Sequence, residues 1–186
     1  MKTKIIIAGL FLSFLTISCK NEEKKADTTT EAVKEVVQEN TFDVSVDMII
    51  KKDDDLILYY KDGSNEWFDD DHVVWMGVKG KNEVQTVTFK LPEGIVPIDL
   101  RLDVGRNEDK GQEPISIKKY KITYLDKSFE VNENQLLEYL KPNQCIKYDA
   151  ATKLFTLQKD DKGYYDPYFE STKAFYPQIA KIAANL

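Results

Sequence analysis

The chain has 186 residues, 26 of them basic and 32 acidic, with 42% hydrophobic residues and a net charge of −6. That balance excludes a basic nucleic-acid face and adhesion to anionic lipid by charge alone. It leaves room for one domain with a substantial core.

In chain order, Met1-Lys2-Thr3-Lys4 precedes an apolar run from Ile5 to Leu15 and then Thr16-Ile17-Ser18-Cys19. A basic start, a short apolar run and a small residue before a break form the plan of a secretory signal. The run is shorter than the ~20 apolar residues a membrane-spanning helix needs. Ser18-Cys19 resembles the close of a lipoprotein signal, with Thr16 where Leu is usual. The expectation is a signal peptide over 1–18, cleavage before Cys19 and acylation of that cysteine. Residues 19–40, polar and without aromatics, form a tether. The address is the bacterial cell envelope, with the lipid bilayer of the outer membrane as partner through Cys19. Removing residues 1–18 takes away Lys2 and Lys4, leaving 24 bases against 32 acids and a net charge of −8. Cys145 is then the lone thiol, expected to be buried as a small hydrophobe.

A domain is expected over 41–186. Phe42, Val44, Val46, Met48 and Ile50 alternate with polar residues, the period of a strand with one buried face. Leu56 to Tyr60 reads as a second strand, Lys61 to Asn65 as a turn, and His72 to Val78 as the next apolar stretch. Val87, Phe89 and Leu91 alternate, then Ile98, Leu100, Leu102 and Val104. Ile115 to Tyr124 is a further strand whose phase slips between Ile117 and Tyr120, predicting a bulge. Phe129 and Val131 finish a hairpin. Short strands with turn signals between them predict an antiparallel β-sandwich of jelly-roll type, mainly β. Asn132 to Gln135 has capping-box spacing before a short helix through Leu140, closed by Pro142. Strands follow at 146–148 and 154–157. Asp166-Pro167 offers an N-cap for a C-terminal helical segment carrying Phe169, Phe175, Ile179, Ile182 and Leu186, kinked near Pro177.

The run Phe89-Lys90-Leu91-Pro92, then Leu100-Arg101-Leu102-Asp103-Val104-Gly105-Arg106-Asn107, then Ile115-Ser116-Ile117 resembles a β-sandwich segment that recurs in envelope lipoproteins. It is also similar to jelly-roll carbohydrate-binding modules. The match covers roughly residues 42–124, and its motifs are packing and turn signatures. It implies the fold and hints at sugar.

Sugar recognition needs exposed aromatic faces beside carboxylates and amides. Trp67, Trp75, Tyr60, Arg101 and Asp103 are the candidate ligand-binding residues, with Tyr59 and Asp69 to Asp71 nearby. Tyr59 and Tyr60 must face opposite ways, and the apolar run around Trp75 favours a core position for it. The acidic runs Asp53-Asp54-Asp55 and Asp69-Asp70-Asp71 offer oxygen donors for a structural calcium, though without the spacing of a defined loop. There is no phosphate loop, zinc-ligand cluster or nucleophile elbow. A non-catalytic module, binding glycan, is therefore expected. The alternative is a structural or protein-interaction lipoprotein that docks an envelope partner through Gly163 to Phe169. That segment is otherwise expected to fold back over an open end of the sandwich. A coplanar exposed aromatic pair would favour the first, and buried tryptophans with an exposed Tyr164 to Phe169 patch the second.

Overall fold

A computed structural model describes residues 40–108 and 111–184. The signal, Cys19, the tether up to residue 39 and Leu186 lie outside the described residues.

The alternating segments become strands whose apolar faces meet in one core. β1 (Phe42–Ile49), β4 (Gln85–Lys90), β6 (Ser116–Tyr124) and β7 (Lys127–Asn132) form a four-stranded sheet in the order β4-β1-β6-β7. Every pairing in it is antiparallel. Phe42, Val44, Val46 and Met48 are fully buried, and each stabilises the fold by about 1.5–3 kcal/mol. The other face of β1 is polar: Ser45 bonds Thr88 across the strands, and Asp47 accepts from Thr86 and pairs with Lys119. The anticipated bulge is present. Asp47 faces Lys119 and Met48 faces Ile117, so Lys118 is the extra residue.

β2 (Asp54–Lys61), β3 (Val73–Val78), β5 (Asp99–Asp103), β8 (Leu140–Pro142) and β11 (Tyr168–Ser171) build the opposing sheet in the order β3-β2-β5-β11-β8. Leu56, Leu58, Leu100, Leu102 and Phe169 share the core with the first sheet, which makes the fold a mainly β, antiparallel β-sandwich. A hairpin of β9 (Ile146–Asp149) and β10 (Leu154–Leu157) joins through an Ile115–Phe155 bridge. The Phe155 ring meets Phe169 edge-on at 5.0 Å.

The helical part differs from expectation in three places. α1 (Leu136–Tyr139) is a single turn, and Leu140 and Pro142 belong to β8. Asn132 accepts from the Asn134 N–H and donates to the Gln135 side chain, so those side chains bond each other and no capping box forms. Asp166-Pro167 starts no helix: Tyr168 to Ser171 is β11, lying between β5 and β8, with Phe169 fully buried. The gain of ladder bonds on both sides outweighs the helical spacing of the apolar residues. Of the Tyr-rich segment, Tyr168 and Phe169 thus enter the sheet, while the loop before them packs over its end, with Tyr165 and Pro167 against Gly105 just beyond β5. The C-terminal helix is confined to α2 (Tyr176–Ala183), with Pro177 in its first turn, where a missing N–H costs nothing. Phe175, just before it, is buried against Tyr120, Phe129 and Tyr139.

Candidate functional site

Strand periodicity places side chains of neighbouring strands in rows across the outer face of the five-stranded sheet. Trp75 faces Ile57, Ile57 faces Asp103, and Asp103 faces Tyr168. In the next row Val73 faces Tyr59, Tyr59 faces Arg101, and Arg101 faces Glu170. Ile57 points outward yet is fully buried, so the large residues around it form a second layer over the sheet.

Arg101 is the centre of this layer. Its Nε donates to Asp103 Oδ1 at 2.7 Å and its Nη2 to Asp103 Oδ2 at 2.9 Å. Nη2 also reaches both oxygens of Asp166, at 3.1 and 3.0 Å. The guanidinium lies 3.8 Å from the Tyr168 ring centre and 5.4 Å from that of Tyr59, distances at which cation–π attraction operates. Burial works against the charge of Arg101, but Asp103 and Asp166 more than offset it and raise its pKa. Burial also raises the pKa of Asp103, which is only 1% exposed, and Arg101 offsets that only in part. Arg106 sits over the Trp75 ring at 5.6 Å.

Trp75 is 54% exposed, against the expectation of a core position. It lies on the outward phase of β3 at the sheet edge, and Val74, Met76 and Val78 take the inward phase. Tyr60 is corrected in the other direction. It continues the inward phase of Leu56 and Leu58 and is buried in the core, so Tyr59 is the tyrosine of the outer face. Arg101 and Asp103 lie on that face. Trp67, 77% exposed, stands apart on the loop joining β2 to β3. That loop folds over one end of the face: Tyr59 Oη donates to Asp70 at 3.4 Å, and the Lys61 ammonium lies 4.3 Å from the Phe68 ring. Neither tryptophan joins any ring pair of the described residues, so the two form no coplanar pair. Tyr168 and Asp166, which complete the cluster, come from a segment about 65 residues away in sequence; no local signal links them to Arg101.

The same loop aligns Ser64, His72 and Asp69. His72 Nδ1 bonds Asp69 at 2.7 Å, and Nε2 lies 3.3 Å from Ser64 Oγ. The Asp69 hydrogen bond raises the His72 pKa. Ser64 Oγ, however, donates to Asp62 at 2.6 Å, and Ser64 N–H donates to the same oxygen. With its proton on a carboxylate rather than the imidazole, Ser64 is not arranged as an activated nucleophile. The chain of bonds clasps the loop.

Asp53, Asp54 and Asp55 line one cavity but differ in their partners. Asp53 pairs with Lys79, buried Asp54 accepts from Asn107 and Gln112, and Asp55 is exposed. Among the described residues no group of three or more His, Cys, Asp or Glu is placed to hold a metal. Cys145 is buried, donating to the Tyr164 carbonyl and accepting from the Asp166 N–H.

On the outer face Trp75 and Arg106 are exposed and Tyr59 and Tyr168 half-buried. Shallow cavities flank that face, of about 320 Å³ at Asp55 and Gly77 and about 200 Å³ at Lys141, Tyr168 and Glu170. A cavity of about 370 Å³ between β7 and α2 is lined by Lys127, Ser128, Phe129, Gln178, Lys181 and Ile182, without a carboxylate. Among the described residues no helix is long and apolar enough to cross a membrane. No family model, no curated protein and no solved structure matches the chain.

Proposed function

We propose that this chain is a non-catalytic module of the bacterial cell envelope, anchored to the outer membrane through acylated Cys19, which binds glycan on the outer face of its five-stranded sheet. The observation that carries this reading is the aromatic layer itself. Trp75, Tyr59 and Tyr168 lie in adjacent rows around an Arg101 fixed by two carboxylates. Aromatic rings offer apolar faces to the CH groups of a pyranose, and rigid side chains lose little entropy on binding. Carboxylates and guanidinium beside them offer hydrogen bonds to hydroxyl groups. The open shape suits the flank of a polymer better than a small molecule, which would need an enclosed pocket.

The test is binding of the chain from Lys20 onward to a panel of polysaccharides. Saturable binding that weakens about tenfold or more in Trp75→Ala, a loss of at least roughly 1.4 kcal/mol, supports the reading if circular dichroism shows the fold intact. One observation favours a protein partner instead: Tyr164 is 70% exposed. Failure to bind anywhere on the panel, with Tyr164→Ala releasing an envelope protein that co-purifies with the wild type, would replace glycan by that partner.

A further inference from the structure

We infer that the ligand of the outer face is an uncharged glycan, and that polyanionic glycans, whether uronates or sulfated chains, are excluded. This rests on the glycan-binding reading above and narrows it. An arginine among aromatic rings would ordinarily suggest a site for carboxylate or sulfate, because its planar fork matches those groups. Here the Nε/Nη2 edge of the fork is already occupied. Nε and Nη2 are both committed to Asp103, and Nη2 to Asp166 as well. One guanidinium thus faces two carboxylates; Arg106 over Trp75 balances one of them, and Glu170 opposite Arg101 leaves the cluster one negative charge in excess.

The surroundings add to this. Lys61 is paired with Asp99 at 3.4 Å, and Glu170 lies beside Arg101 in the same row. Arg106 is applied to the Trp75 ring. A carboxylate or sulfate seeking that edge in bidentate fashion would have to displace Asp166 from Arg101, with Asp103 and Glu170 as neighbours of like charge. Beyond the site, the chain from Cys19 onward carries the net charge of −8 derived above, so a polyanion is repelled before contact. Hydroxyl groups meet no such barrier. They donate to Asp166, whose side chain is half exposed, while CH faces lie on the rings.

The experiment compares two sets of polymers on the chain from Lys20 onward. One set is neutral (mixed-linkage glucan, xylan, mannan), the other anionic (alginate, polygalacturonate, carrageenan), each measured at low and high salt. The expected result is saturable binding to a neutral polymer, nearly independent of salt, and none to the anionic set. Asp166→Asn removes one negative charge from beside Arg101. It is expected to weaken the neutral ligand severalfold and to bring measurable, salt-sensitive binding of polygalacturonate. Should that variant misfold, the salt dependence of the wild type decides alone. Tighter wild-type binding to an anionic polymer, lost at high salt, would overturn the charge class but leave the glycan reading standing. Absence of binding to both sets would overturn both.

Discussion

Tyr59 and Tyr60 are adjacent, identical in chemistry and opposite in fate. Their phase was legible in principle, since Leu56, Leu58 and Tyr60 stand at every second position. Ile57 blurred it by placing an equally apolar residue in the outward phase, under the aromatic layer. Trp75 had even less to mark it, because the run Val73 to Val78 holds no charged residue to show which phase meets water. By contrast, Arg101 and Asp103 were readable as outward because Leu100, Leu102 and Val104 fix the phase between them. Partners are what one residue's neighbours do not disclose: Asp166 and Tyr168 reach Arg101 only through the fold. At this scale His72 gives a direct check. Its Asp69 partner raises the folded-state pKa above the ordinary 6.5. The stabilisation of the loop by imidazolium is therefore full below the unfolded value and is lost as pH rises through the folded one. An NMR titration should place the His72 midpoint above 6.5, and Asp69→Asn should bring it down. A wild-type midpoint at or below the free value would show that the clasp is not formed in solution.

Most strands could be read from alternation, because one wet and one buried face impose a period of two. The bulge at Lys118 was visible as a break in that period. β11 was not. Apolar residues from Phe169 to Ile182 mimic helical spacing, and Pro167 looks like a first helical position. What decides the matter is the pair of open strand edges at β5 and β8, brought there by residues far away in the chain. Two substitutions test this assignment. Phe169→Ala should cost about 3–5 kcal/mol as a fully buried strand residue, measured by denaturant unfolding; a cost near zero would mean the segment merely rests on the surface. Gly105 has φ +68°, and a Cβ there would collide with Leu157 and Tyr165. Gly105→Ala should therefore destabilise by about 2–4 kcal/mol, from left-handed strain and overpacking together. An unchanged midpoint would refute the close packing of β10 and the Tyr-rich loop on the end of β5.

For the molecule as a whole, the charge excess and the amino-terminal pattern speak to address, and the sandwich speaks to what can be presented there. An acidic domain gains nothing from anionic lipid, so the proposed anchor at Cys19 would have to hold it. Accordingly, palmitate label should enter the protein in cells and be lost in Cys19→Ser, with the variant released from membranes; a labelled or still membrane-bound variant would contradict the anchor. The class of fold was legible because many short alternating segments admit few arrangements, whereas the platform was only half legible, since it is assembled from β2, β3, β5 and β11 together. The ligand is proposed to bind on this platform. The most direct measurement is a titration of the ¹⁵N-labelled chain with a neutral oligosaccharide, followed at the Trp75 indole N–H and the Arg101 Nε–H. Saturable shifts of both, spreading through β2, β3, β5 and β11, are the predicted result. Shifts confined to the Tyr164 loop or to the Trp67 loop, with Trp75 and Arg101 unmoved, would contradict it.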